Sequence, residues 1–378
     1  MTTSLRSTAR RSGQYGTSSF AVSLDRYQRA VNARLTRMSK DNFARRFWAK
    51  DPALWATDDK TSRAVANRLG WLDATDITPP QLARLETFAA QVKASGLTDV
   101  VLFGMGGSSL VGEVLSRSFG RVPAAPRFHM LDSTDPDAVR PLLARAATSV
   151  FIVASKSGTT IEPNSMAAAA RRAVELAGIK TWGGHFVAIT DEGTELHQRA
   201  ANDGYLDVFV NPSDVGGRYS ALTYFGLVPA ALLGIPLVEF MDGAKAMAAS
   251  CRATSALANP GLALGAFMAA AANAGRDKLV LVLPAEIQAF GLWVEQLVAE
   301  STGKHGRGIV PVIETSDASP QAGSDRAMVL VDVGEVSPSS LALLHSMRAA
   351  GVPTFHLHLP DRLALAGEFF RWEFATAT

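Results

Sequence analysis

The chain has 378 residues, 47 % apolar and 19 % charged, which is too long for one ordinary core and typical of a folded α/β protein. A formal charge of +2 gives no bulk attraction for nucleic acid, and no run of about 18 apolar residues offers a transmembrane helix. The single cysteine, Cys251, excludes an intrachain disulfide and fits a reducing setting, so the cytoplasm is the expected location.

Residues 1–16 form an Arg-, Ser- and Thr-rich leader in which Arg6, Arg10 and Arg11 precede the first acid, Asp25. That composition suits a transit peptide or a solvated disordered tail. From 17 to 95 a helical segment is expected: Leu24, Tyr27, Val31 and Leu35 recur at helical steps, Trp48, Trp55 and Trp71 add apolar area, and Pro79–Pro80 opens a helix over 81–94. Short apolar runs then predict buried strands at 99–103, 127–131, 149–154, 185–189 and 207–210, with helices over 164–176 and 194–201. A helical stretch, 224–272, leads to a second set of strands at 278–283, 308–313, 327–333 and 353–359. Alternation of this kind predicts an α/β fold with parallel sheets. Its two domains are expected at 96–250 and 251–378, behind the helical N-terminal layer.

Ligands of an open parallel sheet bind at the carboxyl ends of its strands, so chemistry is sought in the loops after strands. The first loop, Gly104-Met105-Gly106-Gly107-Ser108-Ser109, offers backbone amides at a helix start. With Asp132 ending the next strand it partly matches a dinucleotide fingerprint, but Ser109 stands where the third glycine is needed. A structural turn explains it as well. The second loop, Ser155-Lys156-Ser157-Gly158-Thr159-Thr160, supplies four hydroxyls and an amine at the start of a helix. Ordinary N-capping accounts for one hydroxyl, so a phosphate site is the better reading.

The third loop carries Val215-Gly216-Gly217-Arg218-Tyr219-Ser220, where two glycines allow a bend that places a guanidinium. The fourth segment, Gln296 to Lys304, closes a helix starting near Ala285. Gln296 and Glu300 are four residues apart and share a helix face, and Gly303 is placed as a C-cap. No nucleotide P-loop occurs, since Gly303-Lys304 lacks its flanking residues.

These four segments in this order resemble the phosphoglucose isomerase family, from about residue 70 to 310 and more loosely to 378. Similarity extends through Arg371-Trp372-Glu373-Phe374 to the isomerase part of fused transaldolase–phosphoglucose isomerases. The resemblance implies two sugar-isomerase (SIS) subdomains, each an αβα sandwich, and reversible exchange of glucose 6-phosphate and fructose 6-phosphate without a cofactor or metal. It implies that Ser108, Ser155, Ser157 and Thr160 hold the phosphate, that Gly107 and Lys156 also belong to the substrate-binding set, that Gln296 touches substrate hydroxyls, and that Arg218 faces the reacting carbons. Glu300 would be the base that moves a proton between C1 and C2. That chemistry requires one positioned carboxylate and one fixed cation. A homodimer is expected, with sugar phosphates as ligands and neither nucleic acid nor membrane as partner.

Two departures stand out. Pro163 replaces a family threonine near the phosphate loop. The family's ring-opening histidine has no counterpart around Ser319–Arg326, and Thr378 falls before the family's C-terminal lysine, so the second domain is expected to be incomplete. In that case Phe369, Phe370 and Trp372 would be poorly covered, and His305 is a minor candidate for ring opening. His356 and His358 alternate along a strand without a third ligand nearby. Two alternatives remain open: a phosphoglucose/phosphomannose isomerase, and a non-catalytic sugar-phosphate sensor.

Overall fold

The computed structural model describes residues 18–23, 27–122, 125–256, 258–315 and 321–378. The leader 1–16, Leu24, Asp25 and Ser319 lie outside them. The chain first forms β1 (Ser19–Ser23), α1 (Gln28–Lys40), α2 (Phe43–Trp48), α3 (Asp59–Ala66) and α4 (Pro79–Ala94). There follow β2 (Asp99–Gly104), α5 (Leu110–Phe119), β3 (Arg127–Leu131), α6 (Pro136–Leu143), β4 (Ser149–Ala154), α7 (Ile161–Leu176), β5 (Phe186–Asp191), α8 (Glu195–Asn202), β6 (Asp207–Asn211) and α9 (Tyr224–Leu232). The remainder is α10 (Leu237–Cys251), α11 (Pro260–Asn273), β7 (Lys278–Leu283), α12 (Phe290–Thr302), β8 (Val310–Thr315), β9 (Arg326–Val333), α13 (Pro338–Ala349), β10 (Thr354–Leu359) and α14 (Leu365–Ala377). All nine expected strands form, so the α/β reading with parallel sheets holds.

Two compact units result, Asn67–Val238 and the combination of residues up to Ala66 with Glu239–Thr378. The helical segment 17–95 is therefore not one body. α1 to α3 belong with the C-terminal residues, α4 belongs with the middle of the chain, and the division falls at Val238–Glu239 rather than near 250.

The middle unit holds an all-parallel sheet in the order β3-β2-β4-β5-β6. Its three central strands, β2, β4 and β5, are almost wholly buried, which is why they read as continuous apolar runs rather than alternating ones. Phe103, Phe151 and Phe186 stack across those strands at 5.4 and 5.3 Å between ring centroids. Ala167, Ala170 and Val174 of α7 close over that layer. Each ring removed from water contributes about 1.5–3 kcal/mol. At the amino edge of the same sheet, buried Asp99 accepts hydrogen bonds from Arg127 Nε (2.8 Å), Arg127 Nη2 (2.6 Å) and Thr98 Oγ1 (2.8 Å), with His129 Nε2 at 2.9 Å.

The other unit is built on the order β1-β10-β9-β7-β8. Here β1 corrects the helical reading of residue 17 onward. Phe20 and Val22 are buried in strict alternation, the period of a strand, and β1 pairs antiparallel with β10, Phe20 opposite Leu357 and Val22 opposite Phe355. A helical pattern resumes only at Val31, Leu35 and Met38, the buried face of α1.

The expectation of poor cover on α14 is overturned. Phe369, Phe370 and Trp372 are fully buried, because Phe369 meets Trp293 at 4.8 Å, Phe370 meets Trp48 at 5.8 Å and Trp372 meets Phe290 at 6.4 Å. Buried charge accompanies them. Ser18 Oγ donates to Glu368 Oε1 at 2.7 Å and accepts from Arg371 Nη2 at 2.6 Å.

Candidate active site

In the middle unit, the turn after β2 and the turn after β6 meet backbone to backbone. A side chain at Gly107 would place its Cβ 2.3 Å from Gly217 C and 2.6 Å from Arg218 N, so only glycine permits this approach. Ser220 Oγ fastens the same junction, donating to Gly217 O at 2.6 Å. Beneath it Trp71 packs on Tyr219 at 5.3 Å, and Gly70 N donates to Asp214 O at 3.1 Å. Arg218, half-buried, lies with its guanidinium 5.8 Å from the Tyr219 ring centre. Gly107 and Arg218 are thus brought together, with Ser108 half-exposed beside them.

The turn after β4 opens α7, and its hydroxyls do not cap the helix. Thr160 occupies the N-cap position, but its side chain makes no cap bond. Instead its Oγ1 lies 2.9 Å from buried Ser155 Oγ, and Ser155 Oγ accepts from Gly158 N at 3.1 Å. Ser157 Oγ and Thr159 Oγ1 face each other at 2.9 Å, and both residues are exposed. The first N–H groups of a helix have no intrahelical acceptor. Those of Ile161 and Glu162 therefore join four hydroxyls at the positive end of the helix dipole, while Pro163 has no N–H to give. Asn164 secures the turn from below, donating to Gly158 O at 3.1 Å and accepting from Arg199 Nη2 at 2.7 Å.

Lys156 is placed differently from the hydroxyls. Its ammonium forms an ion pair with Asp191, the last residue of β5, and donates to Ser213 O at 2.8 Å. Burial pushes the Asp191 carboxyl above the ordinary carboxylate range, and Lys156 works against that shift. Sequence reasoning passed over Asp191, although an acid ending a buried strand is the position at which the carboxyl-end rule looks for function.

In the second unit, Gln296 and Glu300 lie on α12, and Gln296 Nε2 donates to Glu300 Oε1 at 3.0 Å. Glu300 is exposed; Gln296 is half-buried, and its own Oε1 is buried without a hydrogen-bond partner among the described residues. Gly303 holds the C-cap position at φ −76°, so left-handed backbone does not explain it. A Cβ there would come within 2.6 Å of Ala299 O. Thr302 Oγ1 donates to Val298 O and accepts from Ile309 N at 2.9 Å, bracing a tight turn that Lys304 and Arg307 close with backbone bonds of 2.9 and 3.0 Å. His305 sits in that turn, exposed, at φ 53°. His356 contacts Asp332 at 2.7 Å, and His358 contacts Gly334 O. Among the described residues no group of three or more His, Cys, Asp or Glu gathers as a ligand set, and no helix is long and apolar enough to cross a membrane.

Residues 73–317 match the family model described as phosphoglucose isomerase. A glucose-6-phosphate isomerase from Cyanothece sp. is 35 % identical over 257 residues, covering 62 % of this chain and 48 % of that relative. One from Citrifermentans bemidjiense is 34 % identical with the same coverage. The chain thus spans about half the length of the curated relatives it matches. Among solved structures, a hypothetical protein from Thermus thermophilus superposes with a TM-score of 0.79 at 22 % identity, covering 95 % of this chain and 93 % of that one. A glucose-6-phosphate isomerase from Chlamydia trachomatis gives 0.68 at 19 % identity, covering 94 % and 83 %. These likenesses support the fold.

Proposed function

Because the chain belongs to the phosphoglucose isomerase family, we propose that it interconverts glucose 6-phosphate and fructose 6-phosphate through a cis-enediol, with Glu300 as the base. The observation that carries this reading is the start of α7, where Thr160 leaves the helix uncapped and its hydroxyl sits with Ser155 instead. Amides at the helix start, with hydroxyls that can turn from one another to the ligand, hold a phosphate dianion without a cation that would dominate the site.

The substrate phosphate is held by Ser108, Ser155, Ser157 and Thr160. In the open-chain aldose, Glu300 takes the proton from C2 while the C1 carbonyl becomes the enediolate oxygen. The C2 hydroxyl proton then passes to the C1 oxygen, and return of the carbon-bound proton from Glu300 to C1 leaves the C2 oxygen as the ketose carbonyl. Arg218 stabilises the oxygen on which charge develops. Gln296 has two uses in this scheme, a contact with substrate hydroxyls and the 3.0 Å bond that orients the Glu300 carboxylate. The same reading expects a cytoplasmic homodimer, checked by its mass in light scattering.

The test is Glu300→Gln, which keeps the shape and removes the base. Turnover on fructose 6-phosphate should fall by about 10²–10⁴-fold, as for loss of a positioned general base, while the affinity for 6-phosphogluconate stays within a small factor. Near wild-type turnover would remove Glu300 from the mechanism.

A further inference from the structure

A lysine inside a phosphate loop invites assignment as a phosphate ligand. The contacts of Lys156 point elsewhere. Its ammonium pairs with Asp191 at the end of β5 and donates to Ser213 O in the turn after β6. Its backbone is bracketed by the same strand end: Lys156 O accepts from Asp191 N at 3.3 Å and from Thr190 Oγ1 at 3.4 Å. The side chains of Lys156 and Asp191 are only 27 % and 13 % exposed. Asp191 Oδ1 is buried and has no hydrogen-bond partner among the described residues, so Lys156 carries the compensation of that carboxylate, with Arg68 as a further favourable charge and Asp214 as an unfavourable one.

Three loops therefore converge on one ammonium: the phosphate loop that bears it, the end of β5, and the turn that leads to Gly217 and Arg218. We propose that Lys156 and Asp191 form a strut that sets the phosphate loop in register with the Arg218 turn. Asp191 is its positioning residue, and the Lys156 amine does not ligate phosphate. The inference rests on reading Ser155–Thr160 as the phosphate cradle. Its logic is electrostatic. An ammonium already neutralised by a nearby carboxylate offers little net charge to an incoming dianion, whereas a fixed loop keeps hydroxyls and amides at the spacing the dianion needs.

The two roles predict opposite signs for one substitution. If Lys156 were a ligand, Asp191→Asn would release its full charge to the phosphate, and binding would tighten. If it is a strut, Asp191→Asn loosens the loop and binding weakens. We expect Asp191→Asn and Lys156→Met each to weaken 6-phosphogluconate, measured by calorimetry, by about tenfold or more, as for misplaced binding groups. The double variant should be no weaker than either single one, since both remove the same contact. Asp191→Glu should restore part of the affinity. Ser155→Ala serves as the control for the cradle itself, and circular dichroism confirms folding of each protein.

Binding of Asp191→Asn that is as tight as wild type or tighter overturns the strut, as does additivity in the double variant. If Ser155→Ala weakens binding and Asp191→Asn does not, the strut alone fails. If Ser155→Ala also leaves affinity unchanged, the cradle reading fails with it.

Discussion

The two sheets carry five strands each, yet their candidate residues sit at opposite edges. In the middle unit, Gly107, Ser155 to Thr160 and Arg218 all lie in turns that follow β2, β4 and β6, at the carboxyl edge. In the other unit, α12 connects the parallel neighbours β7 and β8, so it must carry the chain back to where β8 begins. Gln296 and Glu300 lie about 9 and 15 Å along the helix from its start at Phe290, on the half that leads to the amino edge. One sheet offers amides and hydroxyls suited to holding an anion; the other offers a carboxylate braced by an amide. The difference teaches that the carboxyl-edge rule finds groups built from backbone, whereas the base we propose is a side chain carried on the returning helix.

That contrast makes distinct kinetic predictions. The largest effect is expected for Gly107→Ala. The added methyl meets the Gly217 backbone at 2.3 Å and must drive two turns apart, so kcat/KM should fall by about 100-fold, the cost of misplacing groups by roughly an ångström. Wild-type kinetics in this variant would detach the Gly107 contact from function. Next, Ser155→Ala with Thr160→Val should weaken 6-phosphogluconate while kcat at saturation changes little. Each lost bond to a charged oxygen is worth about 1.5–3 kcal/mol. A fall in kcat alone would contradict a binding role for the carboxyl edge.

Gln296→Ala should act in the reverse sense, lowering kcat by about tenfold or less because it removes an exposed hydrogen bond that orients the base. A pure rise in KM would erase the distinction between the two edges. The smallest functional effect is expected for Asp99→Asn, at the start of β2 and so at the end of that strand away from the Gly107 turn, which should alter stability and leave turnover as it is. Burial alone would raise the Asp99 carboxyl, but hydrogen bonds from Arg127, His129 and Thr98 outweigh it and hold the group well below the usual range. A lowered folded-state value contributes stability that is fully present above the unfolded value near 3.9 and is lost as pH falls below it. Melting curves of Asp99→Asn and wild type should therefore differ at neutral pH and converge below about pH 4; a constant gap would refute the assignment.

Local signals were readable and distant ones were not. The nine strands β2 to β10 declared themselves as apolar runs, although β3 and β6 are only partly buried, and the crowding of hydroxyls at Ser155–Thr160 marked its turn without help from the fold. β1 was misread because its partner β10 lies at the other end of the chain, and five residues with two buried side chains look alike at either period when read inside a helical stretch. Lys156 kept its place in the phosphate loop, but the carboxylate that engages it stands at Asp191, 35 residues on, and nothing in the spacing joins the two. Likewise the cover over Phe369, Phe370 and Trp372 comes from Trp48, Phe290 and Trp293, contacts that only the assembled unit reveals. The domain boundaries failed for the same reason, because α1 to α3 are local in sequence but belong with residues after Glu239.

The pairing of β1 with β10, and of Ser18 with Glu368 across 350 residues, has a consequence for the order in which the protein is made. Asn67–Val238 is one unbroken stretch, able to close its sheet as soon as it leaves the ribosome. The other sheet cannot be completed until β10 and α14 are synthesised, and it must then close a loop that contains an entire folded unit. A folded insert shortens the effective loop and so lowers the entropy of that closure. We expect nascent chains ending near residue 250 to protect β2, β4 and β5 from hydrogen exchange while leaving β1 unprotected. Protection of β1 at that length would show that the strand finds a different early partner.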